Sequence, residues 1–343
     1  QERISYYRKY SKSLTYYKQT TELPETKSVT PELKTVFAQS LQQVLKQVDV
    51  AFQNFFRRLK TKQKPGFPRY KSINNSFSIC FPQVSEDLKT LKGIKLTSNK
   101  LQVFGITGDI KTILHRPFQG RCKQVRIKKE HDNFYLILTC DNVPKEYHQS
   151  TGKSIAIDLG ITNFITTDYG EVIQHPKPYK TDKEKLAFMQ KKLANKKQGS
   201  NNTRKLKKQI AKKHLKVKNI RHDFLHKVSR KLINENDIIY VEDLDIKSLL
   251  EKKGFEVSNS NITDMSWGSF VQYIEYKAES AGIQVVKVPP AYTSKTCSIC
   301  GVVNNIKLYN RTFHCISCRN AMDRDINAAK NIKRLGISLA SQL

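Results

Sequence analysis

The amino-acid sequence predicts a mixed α and β chain in three parts: a helical region over residues 1–72, a small barrel-like β unit over 73–150, and an α/β unit over 151–343. Three observations predict it. Apolar residues recur at spacings of three and four between Leu33 and Phe55, the mark of a helical stripe. Short runs rich in β-branched and aromatic residues, separated by turn signals, fill the second part. In the third, short buried-type strands alternate with long helical crossovers.

In the first part, Thr30 is the expected N-cap and Pro31 the first residue of a helix that carries the stripe Leu33, Val36, Phe37, Leu41, Val44, Leu45, Val48, Phe52 and Phe55. Upstream, "ISYYRKYSKSLTYYKQ" mixes tyrosines with basic residues. Ordinary helix packing is the expectation there, with base stacking as the other reading. Residues 57–72, "RRLKTKQKPGFPRYKS", hold seven Lys/Arg and no acid. The Pro-Gly and Phe-Pro steps end the helix. The basic loop that follows is either a solvated linker or a track for a phosphate backbone.

In the second part, "SFSICF", "LQVFG", "CKQVRIKKE" and "FYLILTC" read as strands of a small barrel or curled sheet, with turns such as Thr107-Gly108-Asp109 between them. The third part begins with "SIAIDLG", a buried strand that ends in Asp158. "NFITTDYG" and "EVIQHP" follow as two more strands. A helical insertion over 181–232 carries 18 Lys/Arg against 3 acids, and "KQGSNNT" folds it into a two-helix hairpin. "DIIYVEDL" is a fourth strand, ending at Glu242. A helix around 264–281 leads to a fifth strand, "IQVVKVP". A cysteine cluster over 291–321 precedes a final helix that begins near Asp325.

Three meandering strands, a crossover, a fourth strand, a crossover, a fifth strand and a helix make the ribonuclease H-like layout. In it strands one and four pair in parallel at the sheet centre, so Asp158 and Glu242 are expected side by side. The final helix can lend a third carboxylate. Clustered carboxylates repel one another and need cations. Hard oxygen ligands suit Mg²⁺ or Mn²⁺, and two such ions about 4 Å apart serve phosphodiester hydrolysis. Asp323 and Asp325 both stand at the helix start, where either could cap it; spacing alone does not choose between them.

Charge supports a polyanionic partner. The 343 residues hold 61 Lys+Arg against 30 Asp+Glu, a formal charge of +31, and clustered basic residues favour phosphate backbones. A membrane partner is not expected: no apolar run reaches about 18 residues, and no basic amphipathic anchor is visible. No signal peptide is visible. The chain opens with Gln1 rather than Met, so a short preceding piece is expected.

Of seven cysteines, Cys80, Cys122 and Cys140 lie in strand-like stretches and read as small buried hydrophobes in a reducing, intracellular compartment. The other four form "CSIC", a 14-residue gap and "CISC". Two such knuckles can set Cys297, Cys300, Cys315 and Cys318 tetrahedrally around one structural Zn²⁺. An Fe–S site or disulfides are the competing readings. Asp243 and Asp245 read as caps of the next turn, Asp168 as a turn residue, and Trp267 as a core anchor. His222 and His226, four apart on a basic helix, read as phosphate-contacting or packing residues ahead of a metal pair.

"IAIDLGITNFITT", "IIYVEDL", "YTSKTCSICG" and "MDRDINAAKNI" resemble the TnpB (OrfB) proteins of bacterial and archaeal insertion sequences, relatives of the type V CRISPR effector nucleases. The resemblance is specific from about 151 to 337 and looser over "LQQVLKQVDVAFQNFF" and "KPGFPRYKS". It implies a RuvC-like nuclease domain with an inserted zinc ribbon. The metal-binding catalytic triad then falls on Asp158, Glu242 and Asp325, the last being the aspartate two before Asn327. It further implies a guide RNA from the transposon end, a double-stranded DNA target and a prokaryotic, cytoplasmic and nucleoid-associated setting. Family members usually open with a strand and helix, and at this point the sequence departs from the family's pattern; a monomer is the expected state. The implied activity is RNA-guided, Mg-dependent DNA cleavage. Strand transfer at transposon ends by the same three acids, and non-catalytic nucleic-acid binding, are the alternatives.

Overall fold

The computed structural model describes residues 2–70, 77–144, 147–246, 248, 265–307 and 310–341. The expected strand residue Ser76, the last residues of the basic loop at 71 and 72, and the expected helix start at 264 lie outside the described residues. The chain divides into two compact units, Gln1–Pro144 and Lys145–Leu343. Among the described residues, no helix is long and apolar enough to cross a membrane.

The first unit opens with helices α1 (Glu2–Tyr10), α2 (Tyr16–Thr21) and α3 (Leu23–Val29), then α4 (Ala38–Lys60). The expected start at Thr30 is corrected: Pro31–Thr35 form a single 3₁₀ turn, Val36 is extended, and α4 begins only after Phe37. Phe37 explains the break. Its ring sits 6.0 Å from Phe81 and 5.8 Å from Phe104, a placement that the helical course of a straight Thr30 start would not give. A Cβ on Gly93 would lie 2.8 Å from the same ring, so glycine is required there. The apolar stripe of α4 is half-exposed, Val44 at 55%. Ser40 is the buried residue of α4, and its hydroxyl donates to the Cys80 carbonyl.

Six strands follow: β1 (Ser78–Phe81), β2 (Ile94–Thr97), β3 (Lys100–Val103), β4 (Ile110–Lys111), β5 (Arg121–Glu130) and β6 (Asn133–Asp141). They make two three-stranded antiparallel sheets, β1-β5-β6 and β2-β3-β4. Both sheets feed one core of Phe81, Leu88, Ile94, Leu96, Leu101, Val103, Cys122 and Val125. Strands β2 and β4 are too short and too polar to register in the sequence pattern.

The second unit is built on a five-stranded sheet in the order β11-β10-β7-β8-β9. Strand β7 (Ser154–Leu159) pairs antiparallel with β8 (Ile165–Thr167), which pairs antiparallel with β9 (Val172–Ile173). Strand β10 (Ile238–Glu242) pairs in parallel with β7 on one side and with β11 (Gln284–Val288) on the other. The basic hairpin is α5 (Pro178–Ala194) and α6 (Asn201–Glu235). Ser200 caps α6, accepting from the Thr203 N–H at 3.2 Å, and Leu186, Leu206 and Ile210 close a small core between the two helices.

Helices cover both faces of this sheet. On one face, α6 and α7 (Trp267–Ala281) bury Leu225, Leu232, Phe270 and Ile274 against Ile155, Ile157, Ile239 and Val241. Trp267 is buried there, as expected. On the other face, α8 (Arg324–Ala340) buries Ile332 against Ala156, Tyr240 and Val288. Its approach is close: a Cβ on Gly336 would fall 2.1 Å from the Tyr240 ring. Between β11 and α8, β12 (Thr312–His314) and β13 (Ala321–Asp323) pair antiparallel and carry the cysteine cluster.

Candidate active site

Strand pleating decides where the first two acids go. Alternate residues share a face. Ala156 and Tyr240 pack under α8, so Asp158 and Glu242, two residues further on, point to that same face. The register that sets Val241 opposite Ile157 brings the two carboxylates to one level at the carboxyl ends of parallel strands. Asp325, in the first turn of α8, is 7% exposed. Burial, then the charges of Glu242 and Asp325, push the Asp158 carboxyl well above its ordinary value, against a smaller opposing pull from Arg324. Glu242 is also raised by burial, and the Thr293 hydroxyl, which donates to its Oε1 at 2.5 Å, opposes that rise.

Asp323 and Asp325 divide the helix start between them. Asp323 Oδ1 accepts from the N–H groups of Asp325 at 2.8 Å and Ile326 at 3.2 Å, a side-chain N-cap. Asp325 instead faces charge: Arg324 Nη2 lies 3.1 Å from its Oδ1, and Arg311 Nη1 lies 3.5 Å from its Oδ2. Three carboxylates thus share one sheet end, all with hard oxygen donors of the kind that suit Mg²⁺ or Mn²⁺.

The four cysteines are the one group of three or more His, Cys, Asp or Glu, among the described residues, whose ligand atoms all lie within 4.8 Å of one another. Cys297 and Cys318 Sγ are 3.6 Å apart, Cys300 and Cys315 Sγ 3.4 Å. Thiolates at ~2.3 Å from one tetrahedral Zn²⁺ would stand roughly 3.8 Å from each other, so the donor set fits. The N–H groups of Cys318 and Ser317 hold the Cys315 thiol below its ordinary value, while burial and the neighbouring thiols push the Cys318 thiol up, so that one proton is shared unevenly by the pair. Asn304, 2% exposed, accepts from the Ile316 N–H and points its amide at Cys315 Sγ.

Helix α8 ties the two sites together. Asn327 accepts from the Ser298 N–H inside the first knuckle and donates to the Thr296 carbonyl. Asn331 donates to the carbonyls of Thr293 and Thr296. The sequence reading missed these roles for Thr293, Asn327 and Asn331. The one signal available was two asparagines four apart on an otherwise apolar helix face.

The secondary candidates sort as follows. Asp168 is a turn residue, as expected, in the turn that follows β8, and it is also a buried carboxylate: Lys333 Nζ donates to its Oδ2 at 2.6 Å and the Ala156 N–H to its Oδ1 at 2.9 Å. Asp245 caps the next turn through Ser248. Asp243 stands 3.9 Å from Lys287 Nζ and makes no capping hydrogen bond among the described residues. His222 and His226 are packing residues around Tyr273: His222 Nδ1 lies 2.5 Å from the Tyr273 hydroxyl, and the His226 ring stacks on Tyr273 at 4.2 Å. Cys80 and Cys122 are buried, and Cys140 is half-buried.

Comparison with known proteins places these features in a group. Residues 124–253 match a family model described as a probable transposase, and residues 267–332 match one described as the Cas12f1-like TNB domain. The putative RNA-guided DNA endonuclease InsQ of Escherichia coli is 30% identical over 95% of this chain and 82% of its own length. A putative RNA-guided DNA endonuclease of Streptomyces pristinaespiralis is 30% identical over 99% of this chain and 80% of its own. Among solved structures, a cryo-EM structure of a Cas12f1–sgRNA–target DNA complex matches with a TM-score of 0.53 at 18% identity, over 87% of this chain and 70% of that one. At that identity the likeness speaks to fold alone.

Proposed function

The chain belongs to the TnpB (OrfB) family, and from that premise we propose that it is a transposon-encoded RNA-guided DNA endonuclease. Its second unit is a ribonuclease H-like, RuvC-type nuclease domain with a zinc ribbon inserted over 291–321 and a basic helical hairpin over 181–232. The helical and β segments ahead of it, 1–72 and 73–150, serve guide RNA and DNA.

The convergence of Asp158, Glu242 and Asp325 at one sheet end carries this reading. These three would hold two Mg²⁺ or Mn²⁺ ions, which supply water activation and leaving-oxygen stabilisation in phosphodiester hydrolysis. The chain's own part is positional. Strands β7 and β10 fix two carboxylates by register, and α8 brings the third. Thr293 keeps Glu242 oriented and favours its ionised form. The excess Lys and Arg draw the phosphate backbones of RNA and target toward the site. Cys297, Cys300, Cys315 and Cys318 would hold one structural Zn²⁺, which stabilises a ribbon with a core of few apolar residues. Guide–target pairing supplies sequence specificity, while the protein recognises the heteroduplex by shape.

The test begins with the RNA that copurifies when the chain is expressed with its native flanking DNA. One defined RNA running from the coding end into flanking sequence is expected, and it names the target. With that target, Asp158→Ala is expected to abolish Mg²⁺-dependent cutting and spare RNA binding. Cutting retained by Asp158→Ala would overturn the site assignment. Joined products formed at transposon ends without RNA would replace the nuclease with a strand-transfer enzyme.

A further inference from the structure

A second polar cluster lies beneath the carboxylates, on the same sheet face. Lys333 Nζ donates to Asp168 Oδ2 at 2.6 Å, to the Ser154 carbonyl at 3.1 Å and to the Tyr169 hydroxyl at 3.2 Å. An ammonium has three donors, and here all three are engaged. The Asp168 side chain is 5% exposed and that of Lys333 24%. Asp168 is bound twice to β7, accepting from the Ala156 N–H through Oδ1 and donating its own N–H to the Ala156 carbonyl at 3.1 Å. Tyr169 closes the cluster by donating to the Ser154 carbonyl.

Stability alone does not account for this cluster. A buried ion pair repays its desolvation poorly, and a well-packed apolar pair often does as well. What such a pair adds is direction. Ala156 lies two residues before Asp158 on β7. Lys333 lies eight residues after Asp325 on α8, about 12 Å along the helix. The contact of Gly336 with Tyr240 sets how near α8 comes to the sheet. Asn327 and Asn331 bind the helix to the ribbon, whereas the directed hydrogen bonds of Lys333 bind it to β7 and to the turn after β8.

We propose that Lys333 and Asp168 are positioning residues, a strut between α8 and the β7–β8 pair that holds Asp325 at the spacing from Asp158 needed to share metal ions. The proposal rests on the nuclease reading above. Neither residue is among the three proposed metal ligands, and both act through the carboxylates they align.

The test uses the full chain with its copurified RNA and three variants: Asp168→Asn, Lys333→Met, and the two together. Asp168→Asn keeps an acceptor for the Ala156 N–H and removes the charge. The double variant leaves no unpaired buried charge and retains the fold where Lys333→Met alone fails. Mn²⁺ binding is followed by electron paramagnetic resonance. The Mg²⁺ dependence of cutting, RNA affinity and Tm are measured beside it. Loss of outer-shell support costs metal sites about 10- to 100-fold in affinity. All folded variants are therefore expected to bind Mn²⁺ at least tenfold more weakly and to need correspondingly more Mg²⁺ for half-maximal cutting, with RNA affinity unchanged. Parental Mn²⁺ affinity in Asp168→Asn or in the double variant, whatever the change in Tm, would overturn the strut. A parent chain that binds Mn²⁺ yet cuts no guided target would instead overturn the nuclease reading.

Discussion

Thr293 donates its hydroxyl hydrogen to Glu242 Oε1 across 51 residues of sequence, from the edge of the cysteine ribbon to the end of β10. The bond favours the ionised carboxylate and opposes the upward push of burial. Without it the Glu242 pKa rises. Thr293→Val is therefore expected to move the acidic limb of the pH–rate profile to higher pH and to lower the rate near neutrality by about tenfold, as loss of outer-shell support does. A profile that superimposes on the parent's would remove Thr293 from the site.

The two aspartates at the start of α8 are expected to separate in a paired experiment. Asp323→Ala removes an N-cap and is expected to cost about 1 kcal/mol of stability, read as a lower Tm, with cutting retained below the transition. Asp325→Ala leaves the cap intact; it relieves repulsion on Asp158 and gives up the ion pairs with Arg324 and Arg311, two effects of opposite sign. It is expected to abolish cutting with a smaller change in Tm than Asp323→Ala. Reversed phenotypes would exchange the two roles.

Zinc removal is expected to reach beyond the ribbon. Chelation, or Cys300→Ser, should release one Zn²⁺ per chain and open residues 290–320 to protease. Because Asn327 and Asn331 bind the ribbon to α8, cutting should fall in the same titration. An unchanged protease pattern after the metal is gone would refute the structural role of the ion.

Lys277 gives a pH signature away from the site. It is 4% exposed, and burial together with the nearby Arg230 pulls its ammonium down to about 8 from 10.5. Between those values the unfolded chain binds the extra proton, so stability gains from this group as pH rises from 8 toward 10.5. Below pH 8 the full cost of burying the charge is present. Lys277→Met removes that dependence. In urea titrations at pH 7 and 9.5, the stability of the parent relative to the variant is expected to rise at the higher pH by on the order of 2 kcal/mol. Equal differences at both pH values would mean that the buried amine keeps its ordinary pKa.

The glycine at 336 tests packing alone. Its missing Cβ leaves room for the Tyr240 ring, and Gly336→Ala is expected to cost about 1–3 kcal/mol by overpacking. Tyr240→Leu in the same chain should recover part of the loss, as measured by Tm.

The elements that carry long-range order were legible because their patterns are strong. β7 and β10 are short apolar runs ending in an acid, and the α5–α6 hairpin is broken at its Gly-Ser turn. Legibility failed where tertiary contact overrode local pattern. Thr30-Pro31 has the chemistry of a helix start, yet the Phe37 ring draws the chain out of the helix before α4 begins. Asp168 looks like any turn aspartate, because nothing local marks its partner, Lys333, 165 residues away. The choice between Asp323 and Asp325 is likewise absent from spacing. Only the direction of each side chain separates a cap from a buried carboxylate that faces Arg324 and Arg311.

The position of α8 in the chain has a consequence for biosynthesis. The strands bearing Asp158 and Glu242, and all four cysteines, leave the ribosome before the helix that unites them. A polypeptide interrupted anywhere ahead of α8 would own two of the three acids and a ribbon with nothing to rest on. With the proposed triad as the cutting site, incomplete translation products of this chain lack its third carboxylate and are expected to be inert.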